Sequence, residues 1–503
     1  MKSGVLVSSP VWMWAGVIVA AVGVYGWGIG HEDFWFDEVC SAAMAEYDAR
    51  EILSLTCDHD FHPPLYYLLL RGFRVVLGGS EWALRLPSVL GAVALVALGA
   101  GPVRRMCGDR TARLYALLTL STPAVLIYAH EARMYTLLMF ALTACAAYGY
   151  LAARDNQAKD WVCFGLSSLA ALYLHYYGAI AAFCVYLFLF IWLRVRRTPA
   201  MKPFLITAGC VFLAYLPWVI FFFRQAMDAH RAFWIAPLDP LTILGAFCVP
   251  FAYRFFHPAV PWPMAVVTGM VLILIAFGVV FSLVRKASRE RVPILLAVVI
   301  FDGTLLTAIV VSLAFTPVFV PRYMLACFGP ALIALSISIR LAPVRWLRIA
   351  VVSLFVVPNL LVMKDVYTQR FNGSTRELVA DLRGAVERGD LVVTSDCIAL
   401  GPVVYYLPEA RHLFYLADME TMWQHYFTVF EPRIVDRSRL QELLASSESF
   451  WFIGTDSGFS VMTEDILREA GDGWEQTAGP TDYAHPYSRF TYTVSKFSRA
   501  DGT

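Results

Sequence analysis

Over its first 363 residues the chain alternates long apolar stretches with short polar connections. A helix needs about 20 apolar residues to cross a bilayer. Stretches near that length run over 11–30, 83–103, 113–128, 135–153, 161–174, 178–194, 204–223, 262–284, 293–315, 321–340 and 346–363. They predict eleven spans. A further apolar run, HPPLYYLLLRGFRVVLG (62–78), carries Arg71 and Arg74. It reads as an amphipathic juxtamembrane helix lying along the surface, its arginines snorkelling. From 364 the composition turns to a soluble mixture. RELVADLRGAVERGD (376–390) reads as an amphipathic helix and LVVTSD (391–396) as a buried strand. SRLQELLASSES (438–449) and FWFIGT (450–455) repeat that order. The expected fold is mainly α: a polytopic helical membrane bundle over 1–363, with 31–82 as its first outside loop. A small soluble α/β domain follows over 364–503.

Composition agrees. Hydrophobic residues make up 59% and charged residues 16%, against about 45–50% and 25% in a globular domain. Mean hydropathy is +0.60. A disordered chain, a collagen and a coiled coil are excluded. With 40 basic and 39 acidic residues, the charge argues against a nucleic-acid partner. The basic residues cluster at every second connection: Arg104, Arg105, Arg110 and Arg113; Arg154 and Lys159; Arg194, Arg196, Arg197 and Lys202; Arg285, Lys286, Arg289 and Arg291; Arg340, Arg345 and Arg348. The positive-inside rule puts these, and the N-terminus with Lys2, in the cytoplasm. The remaining connections and the C-terminal domain then lie outside a cytoplasmic membrane. The first span reads as a retained anchor, since no A-x-A site follows it. Cys40 and Cys57 share the first outside loop, as a disulfide or as two free thiols. Asn372-Gly373-Ser374 is a glycosylation sequon.

The outside connections hold the polar residues that need a reason. HEDFWFDEVC (31–40) sets Asp37 and Glu38 among Trp35, Phe36 and Val39. Desolvation and a neighbouring like charge raise a carboxylate pKa, which suits a general base. A solvated acidic turn capping a helix is the plainer reading. TCDHDFHPPLYY (56–67) brings Asp58, His59, Asp60 and His62. With Glu38, His59 and His62 are candidate ligands of a divalent metal ion, although no spacing here is diagnostic. YAHEARMY (128–135) packs His130, Glu131 and Arg133 into one tight connection, LHYYG (174–178) carries His175, and PRY (321–323) carries Arg322. Together they could line an outward cavity for an anionic headgroup. Asp302 lies inside the ninth span, where an acid marks a transport path or an interhelical hydrogen bond.

The order of these islands resembles the GT-C glycosyltransferases. The branch is that of the protein O-mannosyltransferases and the lipid A aminoarabinose transferase, with bacterial members related to lipopolysaccharide-core glycosyltransferases. The resemblance rests on FWFDE (34–38), HPPLYYLLL (62–70), EWALRLPSVLG (81–91), HEARMY (130–135), LHYYG (174–178) and PRYMLACFGP (321–330).

It implies an integral membrane enzyme that moves a sugar, with inversion, from a polyprenyl-phosphate donor to a hydroxyl acceptor outside the membrane. The acceptor is a lipid, a glycan or a protein. Asp37 falls on the family's catalytic base, with Glu38 beside it, and Glu131 on the acid of the second outside loop. His62 stands where many members have Lys. With Arg133, His175 and Arg322 it would face the donor phosphate. The alternative is a lipid or glycolipid transporter without covalent chemistry, with Asp302 as its best support.

Overall fold

A computed structural model describes residues 11–231, 235–251, 262–284, 290–369, 373–415, 422–457, 463–485 and 490–500. Lys2, Arg285, Lys286, Arg289 and Asn372 lie outside the described residues. Two compact units emerge. One comprises Met1–Ile29, Phe61–Tyr66 and Arg85–Tyr367; the other comprises Gly30–Asp60, Tyr67–Leu84 and Thr368–Thr503.

The first unit is helical. Each of the eleven apolar stretches has a helical counterpart: Val11–Gly26, Glu81–Cys107, the bent pair Asp109–Leu120 and Pro123–Ala129, Tyr135–Asp155, Ala158–Leu174, Tyr176–Arg196, Met201–Arg231, Trp262–Val284, Arg291–Ala314, Pro321–Leu341 and Arg345–Thr368. Among the described residues seven helices are long and apolar enough to cross a membrane, and the pair bent by 59° makes an eighth. The helices Tyr135–Asp155 and Pro321–Leu341 are the most buried. Small residues on the first of these, Ala144, Ala147, Gly149 and Ala152, allow close helix approach. Phe183, Phe212, Ile220 and Leu313 are exposed instead. Apolar surface on this scale is what a lipid-embedded helix presents. Asp302 also lies exposed on its helix, on the side of Leu306 and Val310 and away from the buried Ile300, Thr304 and Ala308. It does not line the helical core.

The second unit is built on a six-stranded sheet. Its strands are β1 (Leu391–Thr394), β2 (Arg411–Tyr415), β3 (Arg433–Val435), β4 (Ser449–Thr455), β5 (Trp474–Tyr483) and β6 (Tyr492–Arg499), in spatial order β3-β2-β1-β4-β6-β5. The first four are parallel, and β6 runs antiparallel to β4 and β5. Parallel strands need cover on both faces, and β1 is buried along its whole length. Leu440 and Ile466 pack against Val393 and Phe452 on one face. Leu378 and Val403 pack against Val392 and Ile453 on the other.

The first polar loop belongs to this unit except for Phe61–Tyr66, which belongs to the first. It forms the helices Phe36–Met44 and Ala49–Asp58 and continues into Leu65–Leu77. The Phe36 ring meets Phe427 at 6.4 Å. The Tyr47 hydroxyl lies 2.7 Å from Thr428 Oγ1. Arg71 and Arg74 differ from the snorkelling expected of them. Arg71 donates to the Ala45 carbonyl at 3.2 Å, and Arg74 pairs with the Glu46 carboxylate. Arg71 thereby satisfies the C-terminal end of the Phe36–Met44 helix, where carbonyls lack intrahelical donors. Cys40 and Cys57 are free thiols.

Candidate active site

Within the membrane unit, four of the singled-out residues come together at helix ends. Ala158–Leu174 and Tyr176–Arg196 meet at His175, whose extended backbone caps both. Gly178 makes this hairpin possible, because a Cβ there would collide with the Ala171 carbonyl. The Tyr177 amide donates to His175 Nδ1 at 3.1 Å. An Nδ1 that accepts leaves the proton on Nε2. That Nε2 is buried and has no hydrogen-bond partner. Burial pushes the His175 pKa well below its usual range, and His62, Arg133 and Arg322 push it the same way. The ring is therefore a neutral donor at physiological pH.

Around it stand His62, its ring 5.4 Å away, and Tyr323, at 4.6 Å. Arg133 Nη2 lies 3.4 Å from His62 Nε2. Arg133 is 4% exposed and Arg322 likewise 4%. The Arg133 backbone is fixed by Ser88, whose hydroxyl donates to the Arg133 carbonyl at 2.9 Å, while Thr136 donates to the Ser88 carbonyl at 2.7 Å. Arg322 opens a 3-10 turn, Pro321–Cys327, and its guanidinium lies 5.8 Å from the Tyr323 ring centroid. Glu131 is buried in the same tight turn, its carbonyl accepting from the Arg133 amide at 2.8 Å. Two buried guanidiniums and a neutral imidazole donor, walled by tyrosines, make a site suited to an anion. Tyr135 and Tyr323 belong to this cluster. They stand inside the HEARMY and PRY motifs, where nothing in the pattern distinguishes them from their charged neighbours.

In the second unit the two acids part company. Asp37 is half-buried in the first turn of its helix, whereas Glu38 is fully buried. The Trp35 amide donates to Glu38 Oε2 at 3.4 Å, so Glu38 caps its own helix. The His59 ring stacks on His425 at 3.8 Å. Among the described residues no three His, Cys, Asp or Glu side chains stand close enough to hold a metal ion. Glu38 and His59 belong to the second unit, where capping and ring stacking engage them, and His62 belongs to the membrane unit.

This fold, a bundle of membrane helices with a small α/β sheet region, is that of the GT-C glycosyltransferases. Residues 61–221, about a third of the chain, match the family model described as dolichyl-phosphate-mannose-protein mannosyltransferase. Glycosyltransfer is the enzyme class that these findings support. Among solved structures the chain is similar to ArnT from Cupriavidus metallidurans in the apo state, at 12% identity and TM-score 0.64, covering 97% of this chain and 98% of that one. The same protein bound to undecaprenyl phosphate gives 12% identity and TM-score 0.65, covering 98% and 99%. The Archaeoglobus fulgidus oligosaccharyltransferase in complex with Zn and sulfate gives 12% identity and TM-score 0.50, covering 95% and 72%. No curated protein matches the sequence.

Proposed function

We propose that the protein transfers a sugar from a polyprenyl-phosphate donor to a hydroxyl acceptor on the extracytoplasmic side of the membrane. The observation that carries this reading is the burial of Arg133 and Arg322 around the neutral donor His175 in a membrane unit. Such a site favours the oxygens of a lipid-linked phosphate. The relative with undecaprenyl phosphate bound supports that donor class.

In the proposed reaction the acceptor oxygen attacks the anomeric carbon as the bond from that carbon to the phosphate oxygen breaks. Asp37 takes the acceptor proton, and the electron pair leaves on the phosphate. One displacement inverts the anomeric centre. Arg133 and Arg322 balance the phosphate charge; His175 Nε2–H and His62 add hydrogen bonds. Glu131 orients Arg133 through the turn they share. Glu38 acts as the cap that sets the helix of Asp37. The second unit would lie outside the cytoplasmic membrane with the acceptor.

The test is a transfer assay on purified protein in nanodiscs. It offers a panel of polyprenyl-phosphate sugars with cell-envelope extract as acceptor and reads donor consumption by mass spectrometry. Consumption of one donor by the wild type is expected. Folded protein that consumes none would overturn the reading.

A further inference from the structure

The segment that delivers Asp37 is held by a residue far down the chain. Tyr406 ends the helix Cys397–Tyr406 of the sheet domain. Its hydroxyl accepts from the Phe34 amide at 2.8 Å and donates to Glu81 Oε1 at 2.8 Å. The directions are forced, since an amide N–H can only donate and the phenol has one proton. Beside it, Tyr405 donates to the Gly79 carbonyl at 2.7 Å and sets its ring edge-on to Phe34 at 5.7 Å. The same helix also grips the other side of the Asp37 turn. A Cβ at Gly401 would stand 2.8 Å from the Phe427 ring and 3.5 Å from Val39 Cγ1, so only glycine lets this helix approach so closely. Asp37 is thus flanked by two anchors on one helix: the backbone three residues before it and the side chain two residues after it.

We infer that Tyr406 is a positioning residue for Asp37, and that the C-terminal domain serves the reaction by fixing the segment that carries the base. This rests on the reading of Asp37 as the base. The consequence is orientational. A displacement of about 1 Å at a reacting group can cost on the order of 10²-fold in rate, and a site is only as well defined as the shell behind it. Burial and the Glu81 carboxylate raise the Tyr406 pKa. The phenol therefore keeps its proton, and the bridge persists, across the working pH range.

The experiment compares full-length wild type, Tyr406→Phe, Asp37→Asn and Tyr483→Phe in nanodiscs with the polyprenyl-phosphate sugar that the wild type consumes. Tyr483 donates to Asp381 at 3.1 Å within the same domain, so its variant is a control for loss of a phenol–carboxylate bond. Tyr406→Phe is expected to lower kcat about tenfold, at unchanged donor KM and melting temperature. Amide hydrogen exchange in the peptide over 31–38 should accelerate in that variant, with the rest of the domain unmoved. Tyr483→Phe should match the wild type in all of these. Unchanged kcat and unchanged exchange in Tyr406→Phe would overturn the inference. So would a loss of activity that follows a fall in melting temperature with exchange raised throughout the domain. Full activity in Asp37→Asn would instead sink the base itself, and the exchange measurement would still judge the anchor.

Discussion

Arg133, His175 and Arg322 in the membrane unit are each fixed by neighbours at the ends of packed helices. His175 takes its hydrogen bond from an amide two residues on, and Arg322 sits on a turn that opens its own span. Asp37 in the second unit is arranged otherwise. The backbone before it is tied to Tyr406 across 372 positions of sequence. The cluster of arginines and histidines is therefore a product of helix packing, and the geometry of the acid a product of the second unit. The two can be damaged separately, and that separation can be measured.

The largest effect is expected from Asp37→Asn. It removes a proton acceptor while keeping size and hydrogen bonding, and should cost about 10²–10⁴-fold in transfer. Binding of undecaprenyl phosphate, followed by intrinsic fluorescence or calorimetry, should stay at the wild-type value. A parallel loss of both would break the separation. Next come Arg133→Leu and Arg322→Leu. Each removes charge-assisted bonds worth about 1.5–3 kcal/mol, so undecaprenyl phosphate should bind about 10–100-fold more weakly. Hydrogen exchange over 31–38 should be untouched. Wild-type affinity in both variants would remove the anion site from the membrane unit.

The same contrast explains what could be read in advance. Each of the eleven apolar stretches became helical because span length and hydropathy are local properties. The helix expected at 62–78 appears as Leu65–Leu77, and the expected strands at 391–396 and 450–455 appear as β1 and β4. Arg133, His175 and Arg322 were legible because each stood in or beside a short polar connection between spans, and His62 because it stood in the polar part of the first loop. Tyr406 was not. Nothing in VVYYLPEA distinguishes its phenol from Tyr405, and its partners Phe34 and Glu81 lie hundreds of residues away. The role of Glu38 as a buried cap was equally hidden, because adjacent acids look alike until one is enclosed. Arg71 and Arg74 were misjudged for a related reason: their acceptors, Ala45 and Glu46, lie just past the end of another helix.

A smaller effect separates His175 from the arginines around it. As a neutral donor it should be replaceable by a neutral donor. His175→Gln offers an amide N–H in roughly the same direction and should retain activity within about tenfold, whereas His175→Leu should lose one uncompensated hydrogen bond and weaken lipid-phosphate binding further. Protonation gives the complementary check. Because its pKa is already depressed, donor KM should show no inflection from this ring between about pH 6 and 8. An inflection lost in His175→Gln would show that the imidazole works as a cation.

The smallest effect belongs to the sheet domain. His412 on β2 is buried and lies 2.8 Å from the Leu407 carbonyl, which can only accept, so Nε2 carries the proton. Nδ1 is buried without a partner. Burial lowers the His412 pKa, with the Leu407 bond opposing weakly. The sign follows from linkage. Between the depressed folded pKa and the ordinary value of about 6.5, the unfolded chain binds the proton and the folded chain does not, so stability falls as pH falls through that window. Melting of the second unit should drop between pH 7 and 5, and His412→Gln should flatten that drop. Because Tyr406 hangs from this domain, protection over 31–38, taken relative to the intrinsic exchange rate at each pH, should fall with acid in the wild type and fall less in His412→Gln. The lipid-phosphate affinity of the membrane unit should not follow that change. If it did, the two units would be coupled more tightly than their separate construction implies.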